Sequence, residues 1–538
     1  VKKNYNSIFK NLITLPLLIT LVLLGAGCFS ETKDSRETGR LWSKISPGIW
    51  KIQAGPESGP SLLTESGSLP RMESLALLPD TSFPVKESEI SVRIEKGRTY
   101  IRFPLVDEEQ LFGLGLNFKN VNQRGRIFRL HVDHYGGRDN GRTHAPVPFI
   151  LSSKGYGILV DTSYYIDVYA GTGVTAGSSN PAVPRDRNTD KNWTASPRSD
   201  NLEIVIPGEG VRMAIFAGTS MMDTVRRFNL FCGGGFIPPK WGLGFWQRTP
   251  TLFSAEDVST EVSEFSKKDF PLDVIGLEPG WQSKSYPCTF AWDSGRFPDP
   301  EKFINQMGKE GIKINLWMNP YLSPDSPVYE KMLPYTGSHT VWNGRVPDYT
   351  IPEAAKIMKD YLKKELTDIG VSGFKVDEID GFDHWLWPDT AEFPSGRSGE
   401  QMRQTYGLRL LRIIDETYRK AGRRTYGLTR ASNAGGVRFP YVIYNDYYSH
   451  PDFITALINS GFNGILWTPE VRSGGSAEDW LRRMQTVCFS PLAMINAWAD
   501  GTKPWSYPEV YKQCREAALL RMQLLPYMYS VFAGYYFE

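Results

Sequence analysis

The sequence predicts a (β/α)8 TIM barrel, an α/β fold, preceded by an all-β N-terminal sandwich. Three observations carry that prediction. Between Trp42 and Phe236, short β-rich runs alternate with Gly, Pro, Asn and Ser, the spacing of a sandwich. After Pro238-Pro239, short apolar runs alternate with amphipathic stretches, the pattern of parallel βα units. Eight such runs can be counted, and most of them end at a polar residue.

In chain order, residues 1–28 read as an export signal. Lys2, Lys3 and Lys10 flank or precede an apolar run from Leu12 to Gly27, shorter than the ~20 residues of a membrane-spanning helix. Leu24-Gly25-Ala26-Gly27-Cys28 has the form of a bacterial lipoprotein box, with Gly25 where Leu is commoner. Cleavage before Cys28 and lipidation of that cysteine are expected, which puts the protein on the bacterial cell envelope. A plain secretory signal with a chance cysteine is the alternative. Residues 29–41 are polar and read as a tether. No later segment is long and apolar enough to span a bilayer.

Residues 42–236 form the predicted sandwich, with strands over 90–94, 99–103, 157–161, 164–169, 202–206 and 212–216, and a long polar loop over 171–201. Residues 237–538 form the predicted barrel. Its strands are placed at 242–247, 273–278, 314–318, 373–377, 425–429, 441–444, 464–467 and 492–496. Helical patterns lie between them, at 255–268, 300–310, 351–367, 400–421 and 477–487. The stretch 323–348 is too long and polar for a simple loop and is placed over the barrel mouth. A last helical pattern, 511–529, completes the barrel.

Composition narrows the function. The 61 Lys+Arg nearly balance the 59 Asp+Glu, without the basic excess of a nucleic-acid binder. The five cysteines contain no CxxC pair, which argues against a zinc site or a dense disulfide framework. His131 and His134, three apart in an extended segment, fall on opposite faces and make a poor metal pair. Aromatic residues reach 13%, enough for large cores or for stacking platforms under flat ligands such as sugars.

The predicted strands end at or near Gln247, Glu278, Asn319, Asp377, Arg430, Asp446, Glu470 and Asn496. In a barrel these ends converge on one rim, where active sites are built. A lone strand-end Asp commonly caps the next helix. Several carboxylates facing one another are costly unless they serve chemistry.

Taken in order, a set of short strings resembles glycoside hydrolase family 31. They are FGLG (112–115), PVPFILSSKGYG (146–157), PPKWGLGFW (238–246), FPLDVIGLE (270–278), WDSGRFPDP (292–300), NLWMNPY (315–321), GFKVDEID (373–380), RASNAGGVRFPYVIYND (430–446) and FSPL (489–492). The resemblance implies a retaining, exo-acting α-glycosidase with Asp377 as nucleophile and Asp446 as acid/base. It implies that Glu278, Arg430 and Glu470 hold sugar hydroxyls. Asp380 takes the place of a Glu, and Trp246, Trp317 and Trp467 form apolar walls. Lys375 or Arg430 would keep Asp377 ionised. A carbohydrate is the implied partner, the lipid anchor the only membrane contact, and no metal or cofactor is called for. Such a pair cleaves by double displacement, one carboxylate attacking the anomeric carbon while a carboxylic acid protonates the leaving oxygen.

Several positions depart from the family. Tyr444-Asn445 replaces two small residues before Asp446. Glu278 and Glu470 stand where the family has Asp, and Asn496 where it has His. These swaps point to altered sugar recognition and away from ordinary maltose-type glucose, with xylose, galactose or a modified α-linked sugar all open beside an α-glucoside of another kind. An inactive glycan-binding lipoprotein, and an α-glucan lyase or transglycosylase using the same carboxylates, are the alternatives. The resemblance also implies further β domains after the last helix.

Overall fold

The computed structural model describes residues 41–538, apart from 57–58, 174–185, 192, 194–198, 382–384 and 447–448. The signal region with Cys28, and most of the loop over 171–201, lie outside the described residues. Among those described, no helix is long and apolar enough to cross a membrane.

Two six-stranded sheets form the N-terminal sandwich. One orders Leu41–Ser46, Ile49–Ala54, Val211–Ala217, Tyr156–Val160, Phe149–Ser152 and Leu111–Gly113. The other orders Ser91–Glu95, Arg98–Pro104, Asn201–Ile206, Ile166–Ala170, Arg126–Val132 and Arg142–Thr143. Each predicted sandwich strand is present. Period-2 alternation explains them: Thr99, Ile101 and Phe103 point inward, while Tyr100 and Arg102 are only partly covered. Ile52, Phe103, Phe128, Ile158 and Ile204 fill the space between the sheets. The strands 41–46, 49–54, 111–113, 126–132 and 149–152, and the helix Met221–Phe231, were not among the predicted elements.

Among the described residues the barrel has seven parallel strands: β1 (Phe245–Arg248), β2 (Val274–Leu277), β3 (Lys313–Met318), β4 (Gly373–Val376), β5 (Gly427–Thr429), β6 (Tyr441–Ile443) and β7 (Ala493–Asn496). Their order is β6-β5-β4-β3-β2-β1-β7. The segment predicted as another strand, 464–467, spans the gap between β6 and β7 with single pairings only, Trp467 to Ile443 and Val471 to Ile495. Pro469 between those two bridges cannot donate to a ladder, so no regular strand forms there.

The barrel helices match the predicted patterns. Ala255–Lys267 and Gly399–Lys420 both open on capping boxes, at Ser254 and Ser398. A further helix, His450–Phe462, begins with Pro451 in its first turn. Residues 323–348 contain a short helix, Tyr329–Met332, and a hairpin, Thr336–Val341 with Gly344–Pro347. Trp342 and Asn343 form the hairpin tip, both with positive φ (50° and 63°). The sandwich is tied to the barrel by polar contacts. Asn463 exchanges two 2.8 Å hydrogen bonds with the Gly115 backbone, and the Ser432 amide donates to the His144 carbonyl.

Candidate active site

The charged residues of the site sit at the C-terminal ends of the barrel strands, where inward-pointing side chains no longer have apolar layers above them. Arg248 ends β1, Glu278 follows β2, Asp377 follows β4, Arg430 follows β5 and Asp446 lies three residues beyond β6. All except Asp446 are at least nine-tenths buried.

Arg430 organises this cluster. Its Nη1 lies 3.2 Å from Asp377 Oδ1 and 2.7 Å from Asp446 Oδ2. Its Nε and Nη2 both lie 3.1 Å from Asp380 Oδ2. One guanidinium nitrogen thus bridges the two predicted catalytic carboxylates. The oxygens facing it lie at most about 6 Å apart, which admits the ~5–5.5 Å of a retaining pair. The other oxygen of Asp377 accepts from Trp317 Nε1 at 2.7 Å and lies 3.7 Å from Lys375 Nζ. Lys375 also contacts both oxygens of Glu278, at 3.3 and 3.2 Å. Arg248 closes the chain of charges, with Nε on Glu278 and Nη1 2.8 Å from Asn315 Oδ1.

The electrostatics separate the carboxyls. Burial pushes Asp446 up, but Arg430, Lys375 and His134 outweigh it and hold the group at about 2. Asp380 lies well below the usual range, because Arg430 and hydrogen bonds from His134 and His144 overcome its burial. Glu378 moves the other way. Burial and the charge of Asp377 raise it to about 8.

Two histidines of the sandwich domain reach into the site. His134 Nδ1 lies 2.6 Å from Arg430 Nη2, and His144 Nδ1 lies 2.7 Å from Asp380 Oδ2. The ligand-type atoms of His134, His144 and Asp380 lie within 4.8 Å of one another. Arg430 is the cation that neutralises them. His131 is buried elsewhere, against Tyr165.

Two of the three predicted apolar walls do not reach the rim. Trp246 is fully buried one layer below Arg248, and its Nε1 donates to the Gly242 carbonyl. Trp467 is also fully buried; it donates to Asn445 Oδ1 and packs edge-on against Phe118. Glu470 is fully buried near Tyr444. Gln247 faces outward to Glu261 and the Thr502 carbonyl, and Arg248 faces the site. The predicted strand stopped one residue short, and one residue exchanges the two faces of a strand.

Tyr444 lies under two cations, Lys375 Nζ at 5.2 Å and Arg430 Cζ at 5.6 Å from its ring centre. Its hydroxyl, Asn445 Nδ2 and both polar atoms of Asn496 are buried and find no hydrogen-bond partner among the described residues. Buried polar atoms are normally satisfied. A polyhydroxylated ligand offers donors and acceptors to such a set.

A parallel barrel whose rim carries a bridged carboxylate pair, surrounded by further buried carboxyls and hydroxyl-seeking amides, is the architecture of a glycoside hydrolase. Comparison with known proteins agrees. The family profile described as the glycosyl hydrolases family 31 TIM-barrel domain matches residues 235–531, and the glycosyl hydrolase 31 N-terminal galactose mutarotase-like domain matches residues 57–168. The chain belongs to glycoside hydrolase family 31.

It is 28% identical over 327 residues to the alpha-xylosidase XylQ of Lactiplantibacillus pentosus, covering 57% of this chain and 38% of that protein. It is 24% identical over 455 residues to an alpha-xylosidase of Saccharolobus solfataricus, covering 80% and 58%. The chain thus spans about half the length of the curated relatives it matches. Among solved structures, a Flavobacterium johnsoniae GH31 dextranase complexed with glucose superposes with a TM-score of 0.72 at 19% identity, covering 91% of this chain and 66% of that one.

Proposed function

We propose that this protein is a retaining, exo-acting α-glycosidase that removes terminal α-linked sugars, with Asp377 as nucleophile and Asp446 as acid/base. The observation that carries this reading is the carboxylate pair bridged by Arg430 at the barrel rim. Asp377 is held in place by Trp317, Arg430 and Lys375. Asp446 is two-fifths exposed at its side chain, open to an incoming leaving group. In the free protein Arg430 keeps it ionised. Protonation for the first step therefore requires Arg430 to turn from Asp446 to a sugar hydroxyl as substrate binds. Asp446 then gives its proton to the leaving oxygen and recovers one from the attacking water in the second step. The buried carboxylates nearby stabilise positive charge developing at the anomeric carbon.

The relatives named alpha-xylosidase support an α-linked pentose or hexose as substrate. Glu278, Tyr444, Glu470 and Asn496 are the residues we assign to its recognition. The test is a panel of aryl α-glycosides (glucoside, xyloside, galactoside, N-acetylgalactosaminide) with wild type, Asp377→Ala and Asp446→Ala. Release from one sugar that falls at least a thousandfold in Asp377→Ala supports the assignment and names the sugar. Turnover of no sugar by folded protein, with saturable glycan binding, supports a binding role instead. An unsaturated product would mark a lyase, and a lengthened one a transglycosylase. For the amino terminus we propose export and lipidation at Cys28. Labelling with a radioactive fatty acid that Cys28→Ala abolishes is the expected result.

A further inference from the structure

A cavity of about 540 Å³ opens at the other end of the barrel from Asp377. Its lining includes Thr425 and Pro440, just before β5 and β6. It therefore faces the N-terminal ends of strands whose C-terminal ends lead to Arg430 and Asp446. Segments around Arg71 and Gly235 complete it, with Tyr536 near the end of the last helix, Tyr511–Phe537. The volume falls in the range of small-molecule sites, ~300–1,000 Å³.

The charge of this cavity is one-sided. Five arginines line it, Arg71, Arg419, Arg423, Arg424 and Arg438, against one carboxylate, Asp415. Two of them share Asp415, with Arg419 Nε at 2.8 Å and Arg438 Nη2 at 3.9 Å. The hydrogen bonds of the other three go to neutral groups. Arg71 donates to the carbonyls of Gly233 and Tyr536, both at 2.7 Å, and of Gly235 at 3.5 Å. Arg423 donates to the carbonyls of Thr367 and Gly370. Arg424 Nη1 donates to the Pro238 carbonyl at 3.4 Å and to Tyr529 Oη at 3.0 Å.

Carbonyl partners fix these side chains without neutralising them. A guanidinium stays charged and carries five N–H donors. Arg424 engages only Nη1, so its Nε and Nη2 have no partner among the described residues. Burial lowers the pKa of Arg438 against the pull of Asp415, and Arg419 and Arg412 add to the lowering. A helix C-terminus favours cations, which accounts for Arg419 at the end of Gly399–Lys420 and not for the other four. Positive charges gathered around one space repel one another, and an anion in that space reverses the sign of the interaction. The planar fork of arginine donors matches the oxygens of a phosphate group.

We propose that this cavity is a second binding site, for a small soluble polyanion carrying two or more phosphate-type groups held by its arginines. The space admits more than one such group. Tyr536 adds an aromatic face, its ring centre 3.9 Å from the Arg71 guanidinium carbon. The site is independent of the α-glycosidase reading and lies away from the carboxylate pair.

The experiment is isothermal titration calorimetry of the chain with inorganic pyrophosphate, inorganic phosphate and sulfate at low salt. Pyrophosphate is expected to bind saturably, once per chain, at least tenfold tighter than phosphate or sulfate, and more weakly as salt rises. Arg424→Gln and Arg438→Gln should each weaken it at least tenfold. Arg424→Lys keeps the charge and loses the fork, and its effect should fall between wild type and Arg424→Gln. Arg424 is exposed, so its variants cover the case in which Arg438→Gln does not fold. Arg482, an exposed arginine outside the cavity, is the control, and Arg482→Gln should change the affinity less than twofold. Absence of saturable pyrophosphate binding overturns the site. So does binding that the cavity variants leave unchanged, or that Arg482→Gln weakens equally.

Discussion

Arg430 is shared among three carboxylates, and that sharing sets the working protonation of the site. Arg430→Met frees Asp446 from its main counter-charge, so its pKa climbs from about 2 toward and above the ordinary carboxylate range. The expected outcome is a lower kcat/KM whose alkaline limb lies at least one pH unit higher than in wild type, read from pH–rate profiles. Glu378 makes the opposite kind of prediction, on stability. Its folded pKa of about 8 exceeds the ordinary 4.5. The unfolded chain therefore ionises first, and a penalty on the fold grows as pH rises from 4.5 to 8, by up to roughly 1.4 kcal/mol per unit. Below pH 4.5 the penalty is absent. Glu378→Gln should melt several degrees higher than wild type at pH 8 and at the same temperature at pH 4.5.

At the scale of elements, β1 and β2 place Arg248 against Glu278 only because Gly276 leaves room. A Cβ at Gly276 would lie 2.5 Å from Arg248 Nη1 and 2.6 Å from its Cζ. Gly276→Ala therefore displaces the guanidinium from Glu278. Activity is expected to fall at least tenfold, with a stability loss of about 1–3 kcal/mol measured by denaturant unfolding. The strand Arg126–Val132 carries a second titration. His131 is buried, and its burial, then Arg142 and Arg403, lower its pKa from 6.5 to about 3. Folding is thus fully supported above pH 6.5 and loses ~1.4 kcal/mol per unit as pH falls from 6.5 toward 3. His131→Phe should flatten that part of the stability profile in equilibrium melts between pH 4 and 7.

At the scale of the whole molecule, the charged cluster at the rim is not a property of the barrel alone. His134 and His144 come from the sandwich and touch Arg430 and Asp380, and Val132 and Gln404 bond across the same seam. A chain beginning at Gly235 would leave the fully buried Asp380 and Arg430 without these partners. It is expected to be inactive on any sugar the longer chain cleaves and to expose apolar surface, seen as dye binding. His144→Ala in the full chain gives the milder result, a drop in kcat with the melt little changed.

The sequence by itself determined the layout: a sandwich and then a barrel, the strand that presents Asp377, the arginine before Asp446, and the order of the rim residues. Those features are local, because periodicity and strand-end polarity follow from burying one face of each element. Tertiary structure alone decided which neighbours each group has. It moved Trp246 into the barrel interior, exchanged Gln247 for Arg248, and reduced the strand at 464–467 to two bridges around Pro469. It also brought His134, His144, Tyr286 and Trp342 to Asp377 and its neighbours from segments far away in the chain. The charge state of a carboxyl depends on what lies within a few ångströms in space. Asp446 at about 2 and Glu378 at about 8 therefore look alike in sequence and behave oppositely in the fold.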